Sequence, residues 1–466
     1  MLRVRFFQLI LIFLIMSSVS LSWGSSLWGD INGDEKIGLE EAVYALQVVS
    51  GVKTARVNAT HKGTIDMDEI WTPEGNPHII TGDLTVAGPA PNGATLTIEP
   101  GTEIWIDQYA SIKVGASQSP GTLIANGTEV SPILFTSNQT VKTRGWWENI
   151  RFADQAINCQ MSYCTIEYGG YGLAKLYEEK GNILVNKAQS VYISHCIITN
   201  SDGNGMSINT TSDYYESFLG SVTLSDNTFS DNEWYGIRLY TDNIRGLDAS
   251  NKFTDNKLGG IYVEGSHADI TVRHDATWHR FDEPYIVENT IIGTSDQPTL
   301  TIEAGVELRF VESAMLEVRS GSLVAEGSSD LPIKFTSKQN IQTKGWWEGV
   351  YFQKDAINCS LKYCTVEYGG SKIPDAGPWI SGNVVVRTVN GVNIHNCDIN
   401  NSEKYGLIIK SEYLENGANA DITGTSFSNN GGDDIYVYTN CSDDVGSYTG
   451  IPEGSPSIEI YDCESK

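Results

Sequence analysis

"GWWENIRFADQAINCQMSYCTIEYGG" runs from Gly145 to Gly170, and "GWWEGVYFQKDAINCSLKYCTVEYGG" runs from Gly345 to Gly370. Both contain a tryptophan pair, a cysteine pair and a closing double glycine. Such a recurrence fits a duplicated active site, two metal sites or one copied structural unit, and the flanking sequence has to choose. "TLTIEPGTEIWI" is answered by "TLTIEAGVELRF", and "GTLIANGTEVSPILFTS" by "GSLVAEGSSDLPIKFTS". "GNILVNKAQSVYISHCIITNS" is answered by "GNVVVRTVNGVNIHNCDINNS". The copying covers nearly the whole body of the chain, so the twin stretches read as one structural rung copied along with everything around it.

The rung itself is a train of short strands. "ATLTIEPGTEIWI" alternates Leu96 and Ile98 against Thr95 and Thr97, and "TLIANGTEVSPILFTS" sends Leu123, Ile133 and Phe135 to one side. Gly, Pro, Asn or Asp follows each strand. A hairpin sandwich would place two-residue Asn-Gly turns between equal strands. Here strand, turn, strand and bend recur at roughly 20 to 30 residues, the period of a coiled parallel β-helix. Aligned by their strands, Cys164, Cys196 and Asn227 fall at one bend of successive rungs, as do Cys364, Cys397, Thr425 and Cys463. They read as an internal ladder of stacked side chains. Disulfides, which eight cysteines in an exported chain permit, and metal binding are the alternatives.

The pattern "EPGTEI…GTLIANGTEVSPILFTS…GWWENIRF…YCTIEYGG" resembles the right-handed parallel β-helix repeats of the pectin-lyase-like superfamily, over about residues 70 to 466. The resemblance implies an all-β solenoid in two duplicated halves, 70–275 and 276–466. That superfamily holds polysaccharide lyases and polygalacturonases beside many non-catalytic surface proteins. The Asn-Thr-Asp, Gly-His-Gly and Arg-Ile-Lys signatures of the polygalacturonase type do not occur in this sequence. Asp433 and Asp434 align with Tyr235 and Gly236 and read as turn residues.

The amino terminus carries different signals. "MLRVRFFQLILIFLIMSS" has Arg3 and Arg5, a short apolar run and then small residues, which is the form of a secretory signal peptide, assigned to residues 1–22. Export to an extracellular or periplasmic location is therefore expected, with no integral membrane contact. A formal net charge of −27 opposes binding to nucleic acid and to anionic membranes. Next, "DINGDEKIGLEE" sets Asp30, Asn32 and Asp34 at alternate positions, offers the Lys36 carbonyl and closes on Glu41. Those are the oxygen ligands a calcium ion needs in a twelve-residue loop. "GLEEAVYALQVVSG" then puts Leu39, Ala42, Val43, Leu46 and Val49 on one helical face. Glu35 stands where that loop type favours glycine, which strains the turn. The segment resembles half of a dockerin-type EF-hand module, assigned to residues 23–69, and the resemblance implies a cohesin-like partner. "NATHKGTIDMDE" echoes the spacing as a degenerate second loop, with Asn58 in place of the first acid.

Aromatic residues supply the remaining candidates. Tyr214 and Tyr215 fall in a loop without a copy, close in rung sequence to Trp234 and Tyr235. Rings interleaved with Asp and Asn suit stacking on sugars. Extending the alternation of Ile150 and Phe152 backward puts Trp146 inside and Trp147 outside, as a sugar platform or under a neighbouring loop. The sequence thus points to a secreted, calcium-binding β-helix that contacts extracellular polysaccharide or a cell-surface protein. A polysaccharide lyase or glycoside hydrolase is the rival reading.

Overall fold

A computed structural model of the chain describes residues 42–43, 59–172, 180–209, 221–265, 271–293, 295–371, 381–388, 390–410, 418–438, 448–449 and 458–461. Two compact units divide at Val57 and Asn58. In the first, Ala42 and Val43 are helical. The candidate calcium ligands Asp30, Asn32, Asp34, Lys36 and Glu41 lie outside the described residues. The second unit begins earlier than the sequence suggests. The stretch read as a degenerate second loop is instead strand, Thr60–Ile65 and Glu69–Trp71, and it pairs with His78–Val86 and Ala94–Ile98. Burial of Ile65 and Trp71, the last residue of each strand, against the first turn of the solenoid outweighs the acidic spacing that suggested a loop.

From there the chain winds through three strands per turn, each pairing in parallel with its counterpart a turn later. The first face runs through Ala94–Ile98, Gly121–Asn126, Cys159–Ser162, Ser190–Ser194 and Ser221–Ser225. The second runs through Glu103–Ile106, Ile133–Ser137, Cys164–Glu167, Ile197–Thr199, Thr228–Ser230 and Lys252–Thr254. The third runs through Ile112–Val114, Ile150–Phe152, Gly181–Asn186, Asn204–Asn209, Tyr235–Tyr240 and Gly259–Glu264. Inward residues, Ile, Val, Leu and Phe for the most part, form one continuous buried core through both copies. This is the parallel solenoid that the strand period implied.

The corner between the first and second faces is one residue long. Tyr163, His195 and Asp226 turn it with φ of 50°, 54° and 55°. The next side chain points inward and accepts the backbone N–H of the preceding turn: Cys164 N donates to Cys196 Sγ at 3.4 Å, and Cys196 N to Asn227 Oδ1 at 2.9 Å. In the second copy, Cys364 N donates to Cys397 Sγ at 3.4 Å and Cys397 N to Thr425 Oγ1 at 3.3 Å. Asn251 extends the first ladder by one turn, accepting Asn227 N at 3.1 Å. The ladder satisfies amides that the tight corner would otherwise bury unpaired. All six cysteines among the described residues are free and buried, and burial pushes the Cys164 and Cys364 thiols well up. Cys463 lies outside the described residues.

The motif that opens the sequence is also explained here. Trp147 Nε1 donates to Glu167 O at 2.9 Å, and Trp347 Nε1 to Glu367 O at 2.8 Å. A side chain at Gly169 would meet the Trp147 ring at 2.9 Å, and one at Gly170 would meet Ser201 Oγ at 2.4 Å. The double glycine is the space the indole and the next turn require. Asn182 and Asn383, wholly buried, close each corner. Each accepts a glycine N–H, from Gly169 or Gly369, at 2.9 Å, and each donates to two carbonyls.

The copies do not stack like on like. Among the described strands, Lys252–Thr254 ends the second face of the first copy, pairing only backward to Thr228–Ser230. The third face continues instead: Gly259–Glu264 pairs with Tyr285–Val287, and that strand with Glu307–Phe310. Glu307–Phe310 is the copy of Glu103–Ile106, a second-face strand. A new column opens where Thr271–Val272 pairs with Thr290–Ile292, and Met315–Glu326 follows it. At the junction the second copy is therefore shifted by one face.

Candidate functional site

Trp234 sits just ahead of Tyr235–Tyr240 on the third face of the first copy, fixed by Trp234 N donating to Gly203 O at 3.0 Å. The ring is half-buried. Lys180 Nζ lies 5.2 Å from its centroid and also meets Asp202 Oδ2 at 2.6 Å. On the other side of the corner, the Glu233 carboxylate takes Arg144 Nη1 at 3.1 Å and also Lys257 Nζ. These two cations hold its carboxyl below the usual range. The result is an indole bordered by ion pairs. The second copy has Gly432 in its place, so this feature is particular to the first copy.

Of the other aromatic candidates, Tyr214 and Tyr215 lie outside the described residues. Tyr235 is only 8% exposed. Its ring packs against Tyr262 at 4.8 Å, and Lys338 Nζ donates to its hydroxyl at 2.6 Å. Burial, with the Glu288 charge, pushes that hydroxyl up to about 12. Tyr235 is thus part of the wall joining the copies and presents no open ring face. Trp147 requires a correction. It is 0% exposed, whereas Trp146 is half-buried, the reverse of the expected arrangement. The strand begins only at Ile150, and residues 144–149 form a bend, so alternation cannot be carried back through it. A fully enclosed indole cannot stack on a sugar.

A second constellation escaped the sequence reading. In the second copy, Glu317 and Tyr351 are direct cross-strand neighbours on the outer side of the third face. Glu317 accepts Arg319 Nε and Gln353 Nε2, each at 2.7 Å. Glu348, at the corner just before Tyr351, is half-buried, and burial plus the Glu317 charge pushes its carboxyl up to about 7. Burial raises the Tyr351 hydroxyl too, with both carboxylates contributing. Beside it, Val385, Tyr405, Ile408 and Tyr436 form an apolar cluster outside the main core. The available signal lay in the differences between copies: "GWWENIRF" and "GWWEGVYF" place Arg151 against Tyr351. Asp433 and Asp434 lie in a turn, where the Asp434 carboxylate accepts Asn430 Nδ2 at 2.8 Å. Among the described residues no three His, Cys, Asp or Glu side chains converge on one point, and no helix is long and apolar enough to cross a membrane.

A family model described as "Right handed beta helix region" matches residues 122–277. No curated protein and no solved structure matches the chain. With the parallel pairing described above, the body is a right-handed parallel β-helix.

Proposed function

We propose that this chain is an exported β-helix protein that binds extracellular polysaccharide at the Trp234 corner of its first copy. A calcium ion at Asp30, Asn32, Asp34, Lys36 and Glu41 would order a separate N-terminal element, and a cell-surface, cohesin-like protein would be the partner of that element. The observation that carries the reading is Trp234 itself. A half-buried indole bordered by Lys180, Asp202 and Glu233 offers an apolar ring edge and a polar rim together, which is what a pyranose needs.

The test is retention on a glycan array. Trp234→Ala should weaken binding by about 1–3 kcal/mol if the ring is an anchor, whereas Tyr235→Phe, inside the wall, should not. Equal retention by wild type and Trp234→Ala would sink the proposal. Release of reducing or unsaturated oligosaccharides by the purified protein would establish the rival reading, a polysaccharide-cleaving enzyme.

A further inference from the structure

The two copies serve as controls for each other, and the outer side of the first face tells them apart. In the first copy, parallel pairing sets Ile70, Thr97, Ile124, Gln160, Tyr192 and Thr223 in one outward column, one residue per turn. Their inward neighbours, such as Leu123, Met161 and Ile193, fill the core. Tyr192 is 46% exposed and Ile70 65%, and Gln160 and Thr223 are open as well. The rung does not require a ring there, because the second copy builds the same strand with Asn393 in place of Tyr192. Its column otherwise reads Thr301, Val324, Ser360 and Asp421.

Three properties of the first-copy column bear on what it meets. The five first-face strands between Ala94 and Ser225 contain no Asp, Glu, Lys, Arg or His, in a chain of net charge −27. Charged groups stand at the margins, Glu69 in the first turn and His195 with Asp226 at the corner. Apolar and polar side chains alternate turn by turn, so the pattern repeats every two turns, roughly 9–10 Å at the spacing of paired strands. Beside the column lies a polar row: Ser162 Oγ donates to Asn126 Oδ1 at 3.2 Å, and Asn126 Nδ2 to Gln160 Oε1 at 3.1 Å. A protein interface gathers its apolar groups into one buried centre. Here they are evenly spaced with polar groups between them, which suits a polymer with a regular repeat.

We infer that this face binds a neutral, extended β-1,4-linked polysaccharide lying along the solenoid axis, with Tyr192 as the stacking anchor. In such a chain each pyranose is turned over relative to the last, so like faces recur at every second sugar. On the protein, like side chains recur at every second turn. Apolar sugar faces meet Ile124 and Tyr192, and hydroxyls meet Gln160, Thr223 and the polar row. A polyuronate would find no cation on these strands. Trp234 stands between the second and third faces, so the two sites share no residue and are tested separately.

The experiment titrates the full chain with cellohexaose by calorimetry, at low and at high salt. Saturable binding should appear and change less than about twofold with salt, because no ion pair contributes. Tyr192→Asn uses the residue found at that position in the second copy, so the fold accommodates it, and binding should weaken at least tenfold. Gln160→Ala should weaken it about threefold. Trp234→Ala and Asn393→Ala should leave cellohexaose binding unchanged. Maltohexaose, which is α-linked and curved, and hexagalacturonate, which is charged, should bind at least tenfold more weakly. Absence of saturable binding, the result a surface made for a protein partner would give, overturns the inference. So does binding that Tyr192→Asn leaves intact, binding that Trp234→Ala abolishes, or tighter binding of hexagalacturonate.

Discussion

Replacing Asn383 by alanine tests whether side-chain amides hold the corners of this solenoid. Asn383 is wholly buried, donates to Val366 O at 2.9 Å and to Asn400 O at 2.7 Å, and accepts Gly369 N at 2.9 Å. Truncation strands one amide and two carbonyls in the core. Each orphan costs on the order of 1–3 kcal/mol, and the two carbonyls retain partial alternatives, so the expected loss is about 3–5 kcal/mol. A solenoid unfolds in segments, so the loss belongs to the local turn and not to one global transition. Amide hydrogen exchange is the appropriate assay. The Gly369 amide should lose protection by a factor of roughly 10² or more, while the Gly169 amide, held by Asn182 in the intact copy, stays protected. A loss below about 1 kcal/mol at Gly369, or equal loss at both glycines, would refute the reasoning, because the corner would then be held by packing alone.

Other outcomes follow from the same geometry. Cys164, Cys196, Cys364 and Cys397 should resist alkylation in the native protein and all react after denaturation without reductant; recovery of any of them as disulfide would contradict the ladder. His61 stacks on Trp71 at 3.9 Å and hydrogen-bonds His78 in the first turn, where burial, with His78, lowers its ring to about 4. A base held low in the folded state stabilises fully above its ordinary value of 6.5 and loses that contribution as pH falls toward 4. Discounted for half-exposure, about 1–2 kcal/mol of the first turn's stability should go, read as a change in Trp71 fluorescence that His61→Gln removes. Trp347→Ala should destabilise the second copy by about 3–5 kcal/mol, since the ring is enclosed and stacks on Phe310 at 4.1 Å. Near-wild-type urea unfolding of that variant would contradict its place in the core.

The sequence carried the rung, the duplication and the cysteine column, because each is written as a repeated local pattern. Alternation at Leu96, Ile98, Ile133 and Phe135 is a property of single strands and survives without knowledge of neighbours. The orientation of Trp146 and Trp147 was not legible, since a bend ahead of Ile150 resets which side faces in. The strand at Thr60–Ile65 was hidden by polar residues, five of its six positions being at least partly open to solvent. Glu317 lies a full turn of chain before Tyr351, and only pairing register sets the two side by side. Nor could alignment of the copies reveal how they stack. It matches residues one to one and is silent about which column each strand joins.

That one-face shift at the junction has a geometric consequence. Equivalent corners of the two copies, such as those at Gly145 and Gly345, follow strands that belong to different columns, so they look out in different directions around the axis. A polymer lying lengthwise on the body would meet one version of a surface and then a different one, never the same surface twice. Duplication here does not lengthen a track. It turns two related surfaces to different sides of the axis.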